Sequence, residues 1–344
     1  MPKRTSARIL SVAWGVVLCG VALVVWSFRG GESPLVVYCA HDAEFADAVL
    51  RDFERETGIP VAVRYDTEAT KSLGLVSLLK TEKNHPRCDV FWNNELLGAV
   101  DLQQSGVLEP YRGAGYARIP DQFKDPEGFW TGFGARLRVY ITNTEKQPAD
   151  EASIDSRLSG NADLRRVAIA KPLFGTTLTH YTLLWHEWGA DRLKEWHADT
   201  RRRGIREVQG NAATKNLVAE GACDLGFTDT DDYFVALDVG RPVAMAPVRI
   251  EGKTICIPNT VAIIRGTQKT EAARRLVDYL LSAETELRLA RSAARQVPLG
   301  PIEPGQLPED VRPLAEWARG GADLRPLLSD RKAVIDWLKS EYLQ

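Results

Sequence analysis

The sequence has no excess of charge of either sign, and this excludes one broad class of partner. Its 44 lysines and arginines stand against 46 aspartates and glutamates, a formal net charge of −2. Nucleic-acid-binding domains concentrate basic residues on one face, so we expect no nucleic acid as a partner. Cysteine is also scarce, because only five are present and none has a CxxC or Cys/His spacing. A structural zinc site is therefore not predicted.

Motifs for covalent catalysis are missing as well. No GxSxG occurs, and no cysteine stands in a motif that marks an activated thiol. We therefore expect a protein that is not an enzyme. After export, a pair among Cys39, Cys88, Cys223 and Cys256 would be able to oxidise, but the sequence assigns no disulfide pairing.

One long uncharged run is present, at the N-terminus. Ile9–Trp26 carries no charge in 18 residues and follows Lys3, Arg4 and Arg8. A helix of that length spans about 27 Å, close to a hydrocarbon core, and its cationic flank stays in the cytoplasm. We interpret residues 1–32 as a membrane-spanning signal anchor rather than a cleaved signal peptide, because WSFRGG is a poor cleavage site. The remainder would then be periplasmic or otherwise extracytoplasmic.

Beyond residue 32, strand and helix patterns alternate. The apolar strand Leu35–Tyr38 is followed by a predicted helix. Phe45, Val49 and Phe53 form one apolar stripe on this helix, which ends at Gly58. Further strands are predicted at Pro60–Tyr65, Asp89–Trp92, Arg136–Thr142, Val167–Ala170, Asp224–Thr228 and Thr254–Ile264, and late helices at Thr270–Leu289 and near Lys332–Tyr342. The alternation predicts an α/β fold with a mostly parallel sheet, whose ligand site lies at the carboxyl ends of the strands.

Four polar segments follow predicted strands, so they share that edge of the sheet. They are Cys39–Asp42, Asn93–Glu95, Phe174–Thr177 and Asp229–Tyr233. Each one alone is explained by a helix cap, and their coincidence favours a binding site. Three of the segments offer hard oxygen and nitrogen donors for a highly charged cation, namely His41, Glu95, Asp231, Asp232 and the Tyr233 phenol. The helix N-terminus at Phe174–Thr177 offers backbone N–H groups for an anion.

Three aspartates crowd into four positions in GFTDTDDYF, at Asp229, Asp231 and Asp232. Their mutual repulsion must be offset by water, a helix N-terminus or a bound cation. We interpret the cluster as a site for a positively charged ligand.

The chain from about Leu35 to Ala290 resembles the periplasmic substrate-binding proteins of ABC transporters, in particular their ferric-iron-binding group. The matching segments are VVYCAH, FERETGIPVAVRY, CDVFWNNE followed by SGVLEPY, GARLRVYITNT, GNAATKNLVAEGACDLGFTDTDDYF, and NTVAII followed by EAARRLVDYLLSAE. The resemblance implies a two-lobed type 2 periplasmic-binding-protein fold, with the solute held between the lobes. Residues 33–135 and 260–344 would form lobe 1 and residues 136–259 lobe 2, with crossovers near Phe133–Tyr140 and Val248–Thr260.

The resemblance also implies metal ligands for ferric iron. His41 matches the first-lobe histidine of the family, and Glu95, or its neighbour Asn94, matches the first-lobe glutamate. The hallmark tyrosine pair of the family falls on Asp231 and Asp232, so Tyr233 is left as the phenolate of this segment. A carboxylate pair is less selective for ferric over divalent ions than a phenolate pair.

A small anion such as carbonate would accompany the metal, as the resemblance implies. Gly175, Thr176 and Asn211 match anion-binding positions, Thr177 extends the same helix N-terminus, and Arg136 lies in the first crossover segment. Asp229 is a further predicted cleft residue.

Two alternatives remain open at this point. If the solute is organic, the aspartates indicate a cation that is thiamine-like or polyamine-like. Asp229-Thr230-Asp231 is also a DxD sequence, which membrane-anchored glycosyltransferases use with a divalent metal. The favoured prediction is the solute-binding receptor of an ABC importer, with a membrane permease as its partner and iron or another metal as its solute.

Overall fold

The computed structural model describes residues 33–66 and 73–342. Pro34–Gln344 form one compact unit, which is built around a ten-stranded mixed sheet. The predicted membrane anchor, residues 1–32, lies outside the described residues. Within the described ranges, no helix is both long enough and apolar enough to cross a lipid bilayer.

The first half of the sheet has parallel strands joined by helices. β1 lies between β2 and β3 and is parallel to both. Along β3, Val90 and Trp92 face one core and Phe91 faces another, because successive residues of a strand point to opposite faces. The elements of this half are β1 (Leu35–Cys39), α1 (Ala43–Thr57), β2 (Val61–Tyr65), α2 (Leu73–Thr81), β3 (Val90–Asn93), α3 (Leu97–Gln104), β4 (Leu108–Glu109) and α4 (Ala114–Arg118).

Helix α1 follows directly from its sequence pattern. Phe45, Val49 and Phe53 recur every four residues and are all buried against the sheet. The helix ends at Gly58, whose φ is 72° and whose N–H donates to the Glu54 carbonyl. A glycine adopts this left-handed conformation without the steric cost that a Cβ brings. The predicted stripe and the predicted end of the helix are both confirmed.

Strand β5 (Thr131–Asn143) joins the two halves of the sheet. Thr131–Leu137 pair antiparallel with β12 (Cys256–Ile264), and the following residues pair with β8 (Leu225–Asp229) and β9 (Val243–Pro247). The first predicted crossover lies within β5. The second predicted crossover contains the hairpin of β10 (Arg249–Ile250) and β11 (Lys253–Thr254), followed by the first residues of β12.

The second half repeats the α/β alternation. Its strand order is β5-β8-β6-β7, and β6 is parallel to both β7 and β8. The helices therefore begin at the carboxyl ends of these strands, on one edge of the sheet. The remaining elements are α5 (Glu151–Leu158), β6 (Val167–Ala170), α6 (Gly175–Trp188), α7 (Ala190–Arg202), β7 (Arg206–Val208), α8 (Asn211–Ala219) and α9 (Thr230–Asp238).

The late helix predicted as one element is broken into two. α10 (Thr270–Leu280) and α11 (Ala283–Arg291) are separated at Ser282. The Ser282 side chain accepts a hydrogen bond from the Thr285 backbone N–H, as the N-cap of α11. A serine that bonds the backbone locally competes with helix continuation, so the continuous prediction was wrong at this residue.

The C-terminal helices are α12 (Arg312–Arg319) and α13 (Leu328–Tyr342). Helix α13 contacts both halves of the molecule. Arg331 lies 2.7 Å from Asp101 on α3, while Asp330 lies 2.8 Å from His186 on α6. The lobe boundaries given above stay a prediction, and α13 reaches across them.

Candidate functional site

A cavity of about 380 Å³ lies where helix N-termini from both halves of the sheet meet. We call it the Asp231 cavity. It takes residues from the starts of α1, α6, α8 and α9 and from strand β5. Its principal polar and charged lining residues are Asp42, Glu44, Asn94, Arg136, Lys171, Thr176, Thr177, Asn211, Lys215, Asp229, Asp231 and Asp232.

Two of the helices present their N-termini to this cavity. Gly175 begins α6 with a φ of 51°, a conformation that glycine adopts readily. Gly210 and Asn211 lie at the start of α8 and line the same cavity. The first N–H groups of a helix have no partner within it, and the helix dipole adds positive potential there. This side of the cavity is suited to an anion.

Asp229 is the centre of a buried hydrogen-bond network. Its Oδ1 accepts from Arg138 Nη1 at 2.8 Å. Its Oδ2 accepts from Thr176 Oγ1 at 2.6 Å and from Asn211 Nδ2 at 2.9 Å. Asp229 therefore anchors the N-termini of α6 and α8 to strand β5, and both of its oxygens are already engaged.

Arg136 lies against the same carboxylates. Its Nε is 3.5 Å from Asp229 Oδ2 and 3.7 Å from Asp231 Oδ2, and its Nη2 donates to the Asn94 carbonyl at 2.5 Å. Burial acts to lower the pKa of Arg136, but Asp231, Asp229, Asp42 and Asp232 outweigh it, so its pKa is raised. The guanidinium is held in its charged form by the acidic residues around it.

These two arginines offset the repulsion within the aspartate cluster. The sequence-based prediction placed Arg136 on an anion and did not consider Arg138. In the structure Arg136 and Arg138 instead form ion pairs with the aspartates. The crowding of the aspartates therefore does not by itself demand a bound cation. The sequence did contain a signal for Arg138. Residues two apart in a strand share a face, and Arg136 and Arg138 are two apart in a mainly apolar strand.

Asp231 and Asp232 also form hydrogen bonds within this network. Asp231 Oδ1 accepts from the Asp232 backbone N–H at 3.0 Å, and Asp232 Oδ2 accepts from Thr228 Oγ1 at 2.8 Å. Carboxylate oxygens of Asp229, Asp231 and Asp232 lie within 4.8 Å of one another, which is close enough to share a metal ion.

His41 does not line the Asp231 cavity. It is 2% exposed, between the rings of Trp92 at 5.7 Å and Phe45 at 5.8 Å. Its Nε2 lies 2.9 Å from Gln296 Nε2, and because that amide nitrogen is a donor, His41 Nε2 is the acceptor. A nitrogen that accepts this bond is not directed at a cavity ligand.

Glu95 is a helix-capping residue in this structure. Its carboxylate accepts from the backbone N–H groups of Leu97 and Gly98, at the start of α3, and from the Asn93 side chain. Burial raises the pKa of Glu95, while these hydrogen bonds and Arg331 act against that rise. Its neighbour Asn94 lines the cavity, whereas Glu95 does not.

Tyr233 is also absent from the cavity lining. It is partly buried against two hydrophobic clusters, and its ring lies 5.1 Å from that of Phe234. Burial raises the pKa of its phenol, and Arg295 only partly opposes the rise. The structure thus brings together Asn94, Arg136, Gly175, Thr176, Thr177, Asn211, Asp229, Asp231 and Asp232, but not His41, Glu95 or Tyr233.

Sequence reasoning also missed three charged residues of the lining. Glu44 stands at the start of α1, Lys171 directly follows β6, and Lys215 lies one turn into α8. The position of Lys171 directly after a predicted strand was the available signal. Together with Asp42, from a segment that was predicted to share this edge, they place negative charge on the first half of the cavity wall and positive charge beside the α6 and α8 N-termini.

Comparisons with known proteins agree with this architecture. A family model described as bacterial extracellular solute-binding protein matches residues 35–292. Iron uptake protein A2 of Synechocystis sp. is 26% identical over 283 residues, covering 74% of this chain and 80% of that protein. Iron-bound HitA from Pseudomonas aeruginosa has a TM-score of 0.75 at 19% identity, covering 89% of this chain and 99% of HitA.

A third similar protein was solved with a different solute. AfuA from Actinobacillus pleuropneumoniae, solved with exogenous fructose-6-phosphate bound, has a TM-score of 0.74 at 20% identity and covers 90% of this chain and 98% of AfuA. At such identities the structural likenesses define the fold alone, which is a two-lobed mixed α/β periplasmic-binding fold. The family model spans most of the chain, from β1 to the end of α11. The protein therefore belongs to the bacterial extracellular solute-binding proteins.

Proposed function

We propose that the protein is the solute receptor of an ABC importer, and that its solute is ferric iron or another multivalent metal ion bound together with a small anion. The observation that carries this proposal is the division of charge inside the Asp231 cavity. Carboxylates of Asp231 and Asp232 lie on one part of the wall, and the N-termini of α6 and α8 form another. A metal ion with its counter-anion has the same division of charge.

Hard oxygen donors support a hard cation. Asp231 and Asp232 offer carboxylates, and Asp42 and Glu44 add two more from the start of α1. Carboxylate ligands suit ferric, manganese, magnesium and calcium ions rather than soft metals. The names of HitA and Iron uptake protein A2 favour iron among these. Because no tyrosine lines this cavity within the described residues, we expect weaker discrimination between ferric and divalent ions than a phenolate pair would give.

The anion would lie against the starts of α6 and α8. Thr176, Thr177 and Asn211 line this part of the cavity, with Lys171 and Lys215 beside them. Backbone N–H groups and lysines favour carbonate, citrate or phosphate. Arg136 stands between the two regions, where it would contact either the anion or the carboxylates.

Transport would use the two-lobed fold without any chemical step. The lobes would close about the solute, and the closed form would dock on a membrane permease. Residues 1–32 would tether the receptor to the cytoplasmic membrane, which would raise its concentration near the permease.

A calorimetric titration of the purified protein tests this proposal. We expect saturable binding of ferric citrate, or of ferric ion with bicarbonate, and a loss of at least about tenfold in affinity in the double variant Asp231→Asn, Asp232→Asn. The control variant Asp191→Asn, Glu195→Gln removes two exposed acids from α7 and should bind like the parent. Absence of binding to every ferric and divalent ion tested would overturn the metal assignment.

A phosphorylated organic solute is the second candidate. Two observations favour it: the arginines already offset the aspartates, and two helix N-termini with Lys171 and Lys215 remain to take an anion. AfuA shows that the fold accepts fructose-6-phosphate.

The same titration with fructose-6-phosphate and inorganic phosphate separates the two candidates. Binding that needs no metal, and that weakens in Lys171→Met or Lys215→Met, would favour the phosphorylated solute. Binding of thiamine or a polyamine in this cavity would revive the organic-cation alternative. Turnover of a nucleotide sugar would indicate the glycosyltransferase.

A further inference from the structure

We propose a second ligand site, for a small organic cation, in a separate cavity of about 330 Å³. It shares no lining residue with the Asp231 cavity. We call it the Tyr140 cavity, and its lining includes Tyr140, Glu151, Asp155, Met245, Arg249 and Trp317. This proposal does not depend on which solute the Asp231 cavity binds.

Two carboxylates on one helix face give the cavity its charge. Glu151 and Asp155 are four residues apart on α5, a spacing that puts them on the same side of a helix. In the described part of the chain, neither carboxylate forms an ion pair with a lysine, arginine or histidine. Arg249 is the cation of the lining, and its Nη1 lies 3.4 Å from the Gly252 carbonyl. Two carboxylates against one guanidinium leave the wall net negative.

Tyr140 supplies a polar group without a protein partner. Its ring packs edge-on against Phe227 at 5.0 Å, and its hydroxyl forms no hydrogen bond with any residue in 33–66 or 73–342. Burial raises the pKa of this phenol, and the charges of Asp155 and Glu151 raise it further, so the hydroxyl lies near both carboxylates. Tyr140 is partly exposed, so its hydroxyl is accessible to a ligand and no protein partner has to be displaced. A ligand N–H group would satisfy this hydroxyl.

The other walls are aromatic and soft. Trp317 comes from α12 and Met245 from β9. Aromatic faces attract cations through their quadrupole, and a methionine sulfur adapts to varied apolar groups. Carboxylates with aromatic faces and a phenol are suited to a protonated or quaternary amine that bears a small apolar group. The volume lies at the lower end of the range for small-molecule pockets.

Calorimetry on the full-length protein tests this assignment with benzylamine as the probe. We expect saturable 1:1 binding, and at least about tenfold weaker binding of the uncharged analogue benzyl alcohol. The double variant Glu151→Gln, Asp155→Asn should weaken benzylamine binding by at least about tenfold, and Tyr140→Phe by about threefold. Thermal melting of each variant checks that it is folded.

Two controls locate the binding. Asp191→Asn, Glu195→Gln removes an acid pair of the same spacing from α7 and should bind benzylamine like the parent. Asp231→Asn, Asp232→Asn should also keep this binding, and a loss there would overturn the proposal by locating the amine in the Asp231 cavity. Equal binding of benzylamine and benzyl alcohol, unchanged binding in the Glu151/Asp155 variant, or no saturable binding would overturn it as well.

Discussion

Arg138 on β5 and Asp229 at the end of β8 form a buried ion pair, with 2.8 Å between Nη1 and Oδ1. The two residues are direct partners in the antiparallel register of these strands. Because Asp229 also accepts from residues of α6 and α8, this pair links the crossover strand to the helix N-termini at the Asp231 cavity. The part of the sheet edge that lines the Asp231 cavity from the second half of the sheet is thus built on one internal charge pair.

Loss of the Asp229 charge should destabilise the protein strongly. In Asp229→Asn the Arg138 guanidinium would stay buried without a carboxylate, and such broken pairs cost about 3–5 kcal/mol of unfolding free energy. Two of its nitrogens, Nε and Nη2, already lack a hydrogen-bond partner in the described part of the chain. Urea unfolding measures the change.

The matched control for this prediction is Asp163→Asn. Its partner Arg165 has a side chain that is 80% exposed, and water screens such exposed pairs so that they contribute little to stability. A loss of stability in Asp229→Asn no larger than in Asp163→Asn would show that Asp229 does not stabilise the second half of the sheet.

Glu95→Gln should lower the free energy of unfolding without changing the affinity for ferric citrate. A glutamine retains one acceptor oxygen, so one of the two backbone N–H groups at the start of α3 loses its partner, at a cost of about 1–2 kcal/mol. Urea unfolding and ferric-citrate titration on the same samples measure both effects. Metal affinity that fell as much as in the Asp231/Asp232 variant would contradict the assignment of Glu95 as a cap.

Stability should fall on acidification through His180. This side chain is 2% exposed, and burial first, then the Arg138 charge, holds its pKa well below the ordinary 6.5. Below about pH 6.5 the His180 imidazole binds a proton in the unfolded chain but stays neutral in the folded chain. The stabilisation is therefore present above that pH and is lost as pH falls, by up to about 1.4 kcal/mol per pH unit.

Urea midpoints at several pH values between 7.5 and 5 check this expectation. His180→Leu should reduce the pH slope, whereas His85→Gln, an exposed site, should leave it unchanged. His197, whose pKa burial also lowers, contributes equally to both variants. An identical slope in parent and His180→Leu would disprove the role of His180.

Three buried cysteines should be inert to thiol reagents until the protein unfolds. Cys88, Cys223 and Cys256 are buried free thiols. Burial raises the pKa of Cys256 to about 12 and suppresses the reactive thiolate. In a Cys19→Ser, Cys39→Ser background, Ellman's reagent should detect three thiols only in guanidinium. Rapid reaction of the native protein would contradict this.

Local patterns account for the part of the fold that could be predicted. The stripe of Phe45, Val49 and Phe53 and the glycine at residue 58 lie within one segment, so neighbouring residues carry the whole signal for α1. The break at Ser282 was missed because apolar periodicity continues across it, and only the cap bond to Thr285 shows that the helix restarts.

Local patterns also predicted only some residues of the candidate site. Asp231, Asp232 and the start of α6 were found because residues after the strands of such a sheet share one edge. His41 and Glu95 follow strands too, yet their side chains point elsewhere. Gln296 lies 255 residues from His41 in sequence, so no local sequence pattern predicts that contact.

The sequence alone determined the alternation of strands and helices, and with it the edge of the sheet at which polar residues gather, because hydrophobic periodicity and strand direction are local properties. Tertiary structure decided which of those residues face the cavity and what balances their charge. Arg138 and Asp229 are 91 residues apart, and only the pairing of β5 with β8 brings them into contact. A buried charge requires a partner, and the folded chain decides which residue that partner is.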